Sequence, residues 1–362
     1  MTRPLPEKPG RILIRVNNWI GDVVMISPAV RAVRARYPRA RIAILAKSWV
    51  LDTLRGSPDY DDLIEYDQAG RHGGLRGRLR LAAELRRGRF DLALLFQKAF
   101  EAALLAFLAR IPVRIGYATD GRTALLTHPV SLPPEGTHHA ELFAGLVRAL
   151  GCELADLSPI FHLDDAARAR GAELLRTAGW DRSRTLIALH PGASKGPRAW
   201  HPERFAALAG RLAKSARAQI VLLGGPADRE PARLIASGAA ATTLLMPVDT
   251  PSIKEMAAIL ERCRLFIGND SGPMHVAAAL GVPTVAIFGP GSPRLTAPIA
   301  PAPRLSIVDK RYPCSPCRQD FFRECPAAPS GKPFCLEEIT VEEVVDAATT
   351  LLAAHPDPRR GA

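Results

Sequence analysis

The stretch Leu265–His275, LFIGNDSGPMH, constrains the fold more than any other part of this 362-residue chain. Leu265, Phe266 and Ile267 predict the end of a buried strand, Gly268 to Pro273 a tight turn, and Met274 to Leu280 a helix stopped by Gly281. A second apolar run, Thr284–Phe288, follows at once and ends in Gly289-Pro290-Gly291. Strand, turn, helix and strand make a right-handed crossover between parallel strands, with the turn at the carboxyl edge of the sheet. Ligands of open α/β sheets bind at that edge. Unpaired amides and the helix dipole suit an anion there, so a bound phosphate is expected. The competing reading is that Asp270 or Ser271 merely caps the helix.

The same alternation runs through the rest of the chain. Strands are expected at Arg11–Val16, Arg41–Ala46, Asp91–Phe96 and Val113–Tyr117, with a helix from about Val23 to Tyr37 and another at Glu141–Leu150. After a helix at Asp164–Ala178 the pattern repeats, with strands at Thr185–His190, Ile220–Gly224 and near Leu244–Met246, helices near Arg229–Ala236 and at Ile253–Arg262, then the opening motif. A helix at Val341–Ala354 closes the chain. Such alternation implies parallel sheets, and the length exceeds what one core usually serves. The expected organisation is two Rossmann-like domains, residues 1–165 and 166–340, followed by a terminal helix and tail, 341–362.

Three further strand ends carry chemistry. In NNWIGDVV, Gly21 and Asp22 open a helix at the carboxyl edge of the first sheet. Asp22 is either an N-cap or a base that takes a proton from a hydroxyl nucleophile. The single glycine counts against a dinucleotide-binding oxidoreductase, whose turn needs a second one where the pyrophosphate comes close. In HPGASKGPRAW, Ser194 sits in a small-residue loop beside two cations, Lys195 and Arg198, which suit phosphate unless this is only a surface loop. In LLGGPADRE, Asp228 is placed to accept from ribose hydroxyls or to cap the next helix.

Charge narrows the partner. The formal net charge of +12 favours nucleic acid, an anionic membrane surface or a phosphorylated substrate. No stacking pattern of aromatic and basic residues points to nucleic acid. The one concentration of arginine, Arg71–Arg89, is either a solvated helix face or an anion-facing patch. No apolar run approaches the ~20 residues of a membrane span. The amino end, MTRPLPEKPG, lacks the apolar core of a signal peptide, so a cytoplasmic protein is expected.

Taken in order, IGDVVMISPAVRAVRARYP, HPGASKGPRAWHPERF, VLLGGPADRE and FIGNDSGPMHVAAALGVPTVAIFGPGSP resemble the ADP-heptose glycosyltransferases of the lipopolysaccharide core, glycosyltransferase family 9, nearest the heptosyltransferase II branch. The resemblance implies a GT-B fold, two Rossmann-like domains with parallel sheets facing a central cleft, the acceptor on the first and ADP-heptose on the second. It implies inverting transfer of heptose to the inner core, with Asp22 as base and no cofactor. Asp270, Ser271, Gly272 and His275 match the loop that holds the diphosphate and heptose hydroxyls, and Asp228 falls near the ribose-binding acid. Ser194, Asn269 and Met274 are taken with them as donor-facing. The family usually has lysine where Arg198 stands, so Arg198 or Lys195 is expected to neutralise the leaving ADP. The acceptor implied is an anionic Kdo–lipid A-type molecule at the inner membrane surface, with the first heptose site or another glycan or protein as alternatives. A sugar-nucleotide epimerase of the same architecture is the neighbouring class. The one D-x-D pair, Asp59-Tyr60-Asp61, lies in the acceptor half and is read as a solvated loop rather than a Mg²⁺ site.

Four of the six cysteines, Cys314, Cys317, Cys325 and Cys335, cluster in one loop-rich stretch. A reducing compartment argues against disulfides. Cys314 and Cys317 have zinc-knuckle spacing but Cys325 and Cys335 are too widely separated, so free thiols and a structural metal both stay open, with free thiols preferred.

Overall fold

The computed structural model describes residues 4–238, 243–245, 252–314, 317, 322–323 and 325–356. They form two compact units, Met1–His162 and Leu163–Ala362. In the first unit the strands are β1 Arg11–Arg15, β2 Arg41–Lys47, β3 Asp62–Tyr66, β4 Leu92–Leu95, β5 Val113–Tyr117 and β6 His128–Val130. Its helices are α1 Ile20–Arg36, α2 Ser48–Leu54, α3 Gly74–Arg87, α4 Phe100–Leu108 and α5 His139–Ala149. The second unit has strands β7 Thr185–His190, β8 Ala218–Leu222, β9 Thr243–Leu245, β10 Leu265–Asn269, β11 Thr284–Phe288 and β12 Leu305–Asp309. Between and after them lie α6 Asp165–Thr177, α7 Pro202–Ser215, α8 Arg229–Gly238, α9 Ile253–Leu260 and α10 Gly272–Ala279. The chain closes with α11 Pro293–Thr296, α12 Phe334–Glu337 and α13 Val341–Ala354. Of the strand expected near Leu244–Met246, Met246 lies outside the described residues.

Both sheets are parallel, and both are wound the same way. The first has the order β3-β2-β1-β4-β5-β6 and the second β12-β11-β10-β7-β8-β9. In each, the first and fourth strands of the unit are neighbours and the connections leave them in opposite directions. That reversal opens a crevice at the carboxyl ends of β1 and β4, and again at those of β7 and β10.

Period-two alternation explains how each sheet is covered. Ile12 and Ile14 turn to the face packed by Ile26 and Val30 of α1, while Leu13 and Leu45 turn to the face packed by Leu81 and Leu85 of α3. With both faces buried, the inner strands read as unbroken apolar runs, and each Leu or Ile so buried is worth roughly 1.5–3 kcal/mol. In the second unit Ile187, Ile220 and Ile267 meet Phe205 and Leu212 of α7, together with Val344 and Leu351 of α13. Helix α13 is therefore part of that core rather than an appendage. It starts at a reciprocal cap, Thr340 Oγ1 accepting from Glu343 N at 3.2 Å and Glu343 Oε2 from Thr340 N at 2.8 Å.

The structure departs from the sequence reading at the sheet edges. Strands β3, β6 and β12 were not expected, and each is an edge strand. Half-exposed edges carry polar residues and, in β6, Pro129, so they lack the apolar run that marks an inner strand. Helix α1 also begins at Ile20, earlier than the expected Val23. Pro28 lies inside α1 and cannot donate to Val24 O; the Ser27 hydroxyl donates there instead at 2.7 Å, then accepts from Ile160 N at 2.8 Å.

Candidate active site

The first crevice is organised by a buried guanidinium. Arg15, the last residue of β1, donates to Val16 O at 2.6 Å and to Asn18 Oδ1 at 2.8 Å, and stacks 5.7 Å above the Tyr66 ring. Burial pushes its pKa down to about 10, with the Glu101 and Tyr66 side chains opposing the shift. These bonds hold the turn from Asn17 to Trp19, and α1 starts from it. Trp19 occupies the N-cap and its side chain makes no capping bond, so Asp22 is the third residue of the helix and not its cap. The Asp22 carboxylate accepts from Asn17 Nδ2 at 2.9 Å and lies 3.5 Å from His139 Nδ1. It is 15% exposed. His139 opens α5 and its ring meets Phe143 edge-on at 6.4 Å.

The second crevice gathers the loops after β7, β8, β10 and β11. Gly268 lies opposite His190, Asn269 opposite Ile287 and Leu189 opposite Leu222, so the carboxyl ends of these strands are nearly level. Asn269, expected to face the donor, is fully buried. Its Nδ2 donates to Pro191 O at 2.7 Å and Gly192 O at 3.2 Å, and its Oδ1 accepts from Trp200 N at 3.0 Å. The amide thus pins both ends of the 191–200 loop. Trp200, itself buried, fixes that loop to the core through its Nε1 bond to Ile339 O at 3.0 Å.

Arg198 is directed inward by this anchoring and pairs with Asp270. Ser194 and Lys195, on the same loop, are exposed. Ser271 stands at the N-cap of α10 but its side chain does not cap it; its Oγ donates to Asn269 O at 3.0 Å and lies 3.3 Å from His190 Nδ1. Ser271 is therefore not a plain side-chain cap of this helix. Burial pushes the His190 imidazole below its ordinary pKa, with the Asp228 carboxylate opposing. Asp228 accepts from Gly225 N at 2.8 Å, closing the turn before α8. Met274 and His275 lie in the first turns of α10, Met274 wholly buried and His275 nearly so.

Two glycines are required by the acids beside them. A Cβ at Gly192 would overlap the Asp228 carboxylate, and one at Gly291 the Asp270 carboxylate. Both acids occupy space that only a hydrogen leaves open.

The thiols behave differently. Burial, with neighbouring Cys314, Cys317 and Cys325, pushes the Cys335 thiol up to about 12. Among the described residues no group of three or more His, Cys, Asp or Glu is arranged to hold a metal ion.

Sequence reasoning missed Arg15, Asn17 and His139. His139 is 117 positions from Asp22 and follows a Pro/Gly-rich loop, where periodicity carries no signal.

A model of glycosyltransferase family 9 (heptosyltransferase) matches residues 78–327. The chain is 32% identical over 301 residues to lipopolysaccharide heptosyltransferase 2 of Salmonella typhimurium, covering 80% of this chain and 86% of that protein. The solved structure of Escherichia coli ADP-heptose LPS heptosyltransferase II aligns with a TM-score of 0.77 at 26% identity, over 95% of this chain and 99% of that one. A glycosyl transferase family 9 protein from Veillonella parvula aligns with a TM-score of 0.84 at 25% identity, over 98% and 100%. The two parallel-sheet Rossmann-like domains are of the GT-B class, as the sequence implied.

Proposed function

The chain belongs to glycosyltransferase family 9, and from that premise we propose that it moves L-glycero-D-manno-heptose from ADP-heptose to the inner core of lipopolysaccharide, adding the second heptose with inversion. The observation that carries the reading is Asp22: a mostly buried carboxylate at the switch point of the first sheet, held by the Asn17 amide with the His139 ring 3.5 Å away. Such a group is free to accept a proton. An acceptor hydroxyl attacks the anomeric carbon from the face opposite ADP, and its proton passes to Asp22 as the new C–O bond forms. The bond to the β-phosphate breaks and its electron pair stays on ADP. Arg198, with Lys195 at the loop surface and the first-turn amides of α10, supplies positive charge for that leaving group. Asp228 is suited to the ribose hydroxyls, and Ser271, Gly272 and His275 to the diphosphate and sugar. These residues account for proton and leaving-group charge with no cofactor invoked.

No helix of the described residues is long and apolar enough to cross a membrane. The proposed acceptor is held in lipid, and the net charge of +12 suits its phosphates and carboxylates. We therefore place the enzyme in the cytoplasm, peripheral to the inner face of the inner membrane.

The deciding experiment offers ADP-L-glycero-β-D-manno-heptose with inner-core acceptors carrying no heptose or one, UDP-sugars as controls, and reads products by mass spectrometry. A heptose-sized gain on the one-heptose acceptor alone is expected. No gain on either acceptor, with ADP still bound, would overturn the acceptor assignment.

Cys314, Cys317, Cys325 and Cys335 are proposed as free thiols. Anaerobically purified protein should contain under about 0.2 equivalents of zinc or iron, since a closed site of four thiolates fills on expression. A stoichiometric metal would establish the structural site instead.

A further inference from the structure

Helix α3 carries an outer face built from leucine, alanine and arginine. Its buried side, Leu81, Ala82 and Leu85, joins the core of the first sheet. On the opposite side Leu75 is 70% and Leu79 49% exposed, with Ala83 exposed beside them. Arg76, Arg80 and Arg87 line one flank of this stripe, and at 3.6 residues per turn the whole exposed face spans an arc of about 140°. The acids nearby are committed elsewhere: Glu84 is within reach of His72 and Arg71, and Glu101 pairs with Arg78. Arg76, Arg80, Arg86 and Arg87 form no ion pair among the described residues.

Leucines alongside guanidiniums, on a helix lying flat against its own sheet, match the pattern of a helix seated in a bilayer interface. We propose that the outer face of α3 docks the enzyme on an anionic lipid bilayer, the leucines at the headgroup–acyl boundary and the arginines on lipid phosphates. A second copy of the chain would set these cations against their like. A nucleic acid would take the arginines but gain nothing from the leucines. Helix α3 begins just past the carboxyl end of β3, at the same edge of the sheet from which α1 and Asp22 start. The inference rests on the reading of a lipid-held acceptor, but the two fail separately.

The test is cosedimentation of the full chain with vesicles of phosphatidylcholine alone or mixed with phosphatidylglycerol. The wild type is expected to bind only the anionic vesicles, less as salt rises. R76E/R80E/R87E should weaken binding by ~10²-fold or more. L75S/L79S should weaken it about tenfold, because the apolar contribution is lost while the charge remains. Either variant binding like the wild type, or wild type binding neutral vesicles equally well, would overturn the proposal. Transfer to a deacylated, soluble acceptor should be the same in all three proteins; absence of transfer in the wild type there counts against the heptosyl reading and not against the docking face.

Discussion

Asp22→Asn is expected to lower kcat for heptosyl transfer by ~10²–10⁴-fold while leaving ADP binding nearly intact. The amide keeps the shape of the carboxylate and the neighbourhood of Asn17 and His139, but it cannot take up the proton that the attacking hydroxyl must lose. Loss of a negative charge in the first turn of α1 costs only ~0.3–1 kcal/mol through the helix dipole, so the thermal midpoint should barely move. The donor loops belong to the other sheet, 169 or more positions along the chain, and titration calorimetry with ADP reports on them separately. A collapse of kcat with unchanged ADP affinity and unchanged melting identifies the base. Turnover within about threefold of wild type would remove Asp22 from the role, because general-base catalysis is worth far more than that.

Arg198→Ala should reduce kcat by ~10²–10³-fold, the usual consequence of removing one preorganised charge from a site where negative charge develops. A second effect accompanies it. The Arg198 and Asp270 side chains are only 18% and 7% exposed, and removing the guanidinium takes a charged partner from a buried carboxylate, a loss of about 1–3 kcal/mol of stability. Arg198→Lys keeps the charge without the planar fork and should recover part of both quantities. Lys195→Ala, at an exposed position on the same loop, should change kcat by less than about tenfold, since an exposed charge is screened by water. Steady-state kinetics with thermal melts of the three variants separate the effects. Full activity in both alanine variants would dismiss the pair as the leaving-group cations.

How far each part of this site was legible follows from how local its physics is. The crossover from Leu265 to Phe288 is contiguous: apolar run, glycine turn and second apolar run state the strand, the helix start and the carboxyl edge without help from elsewhere. The positions of Asp22, Arg198, Asp228 and Asp270 at strand ends were readable for the same reason: Asp270 is the next residue after its strand, and the other three lie six to eight residues past theirs. What could not be read is what depends on pairing at a distance. The level strand ends that gather four loops need the registers of β7, β8, β10 and β11, and the switch points need the edge strands β3, β6 and β12, whose residues resemble loops. Asn269 shows the limit most clearly. An asparagine in a ligand-binding turn invites a ligand, yet here its whole amide serves three backbone groups, a role visible only once Pro191, Gly192 and Trp200 are known to surround it. Arg15 and His139 are similar cases, since a charged residue ending a strand and a histidine after a proline-rich loop give no hint of what they reach.

The glycines behind Asp228 and Asp270 bear on how such a chain can diverge. Gly192 and Asp228 are separated by 36 positions, Gly291 and Asp270 by 21, yet neither glycine can acquire even a methyl group while its acid keeps its place. Each acid and its glycine are therefore sterically coupled: a side chain at the glycine requires the acid to move. A descendant that abandoned Asp228 would leave Gly192 free to drift, whereas at Gly291 the Phe288 ring, 3.2 Å from the same point, would still crowd a side chain.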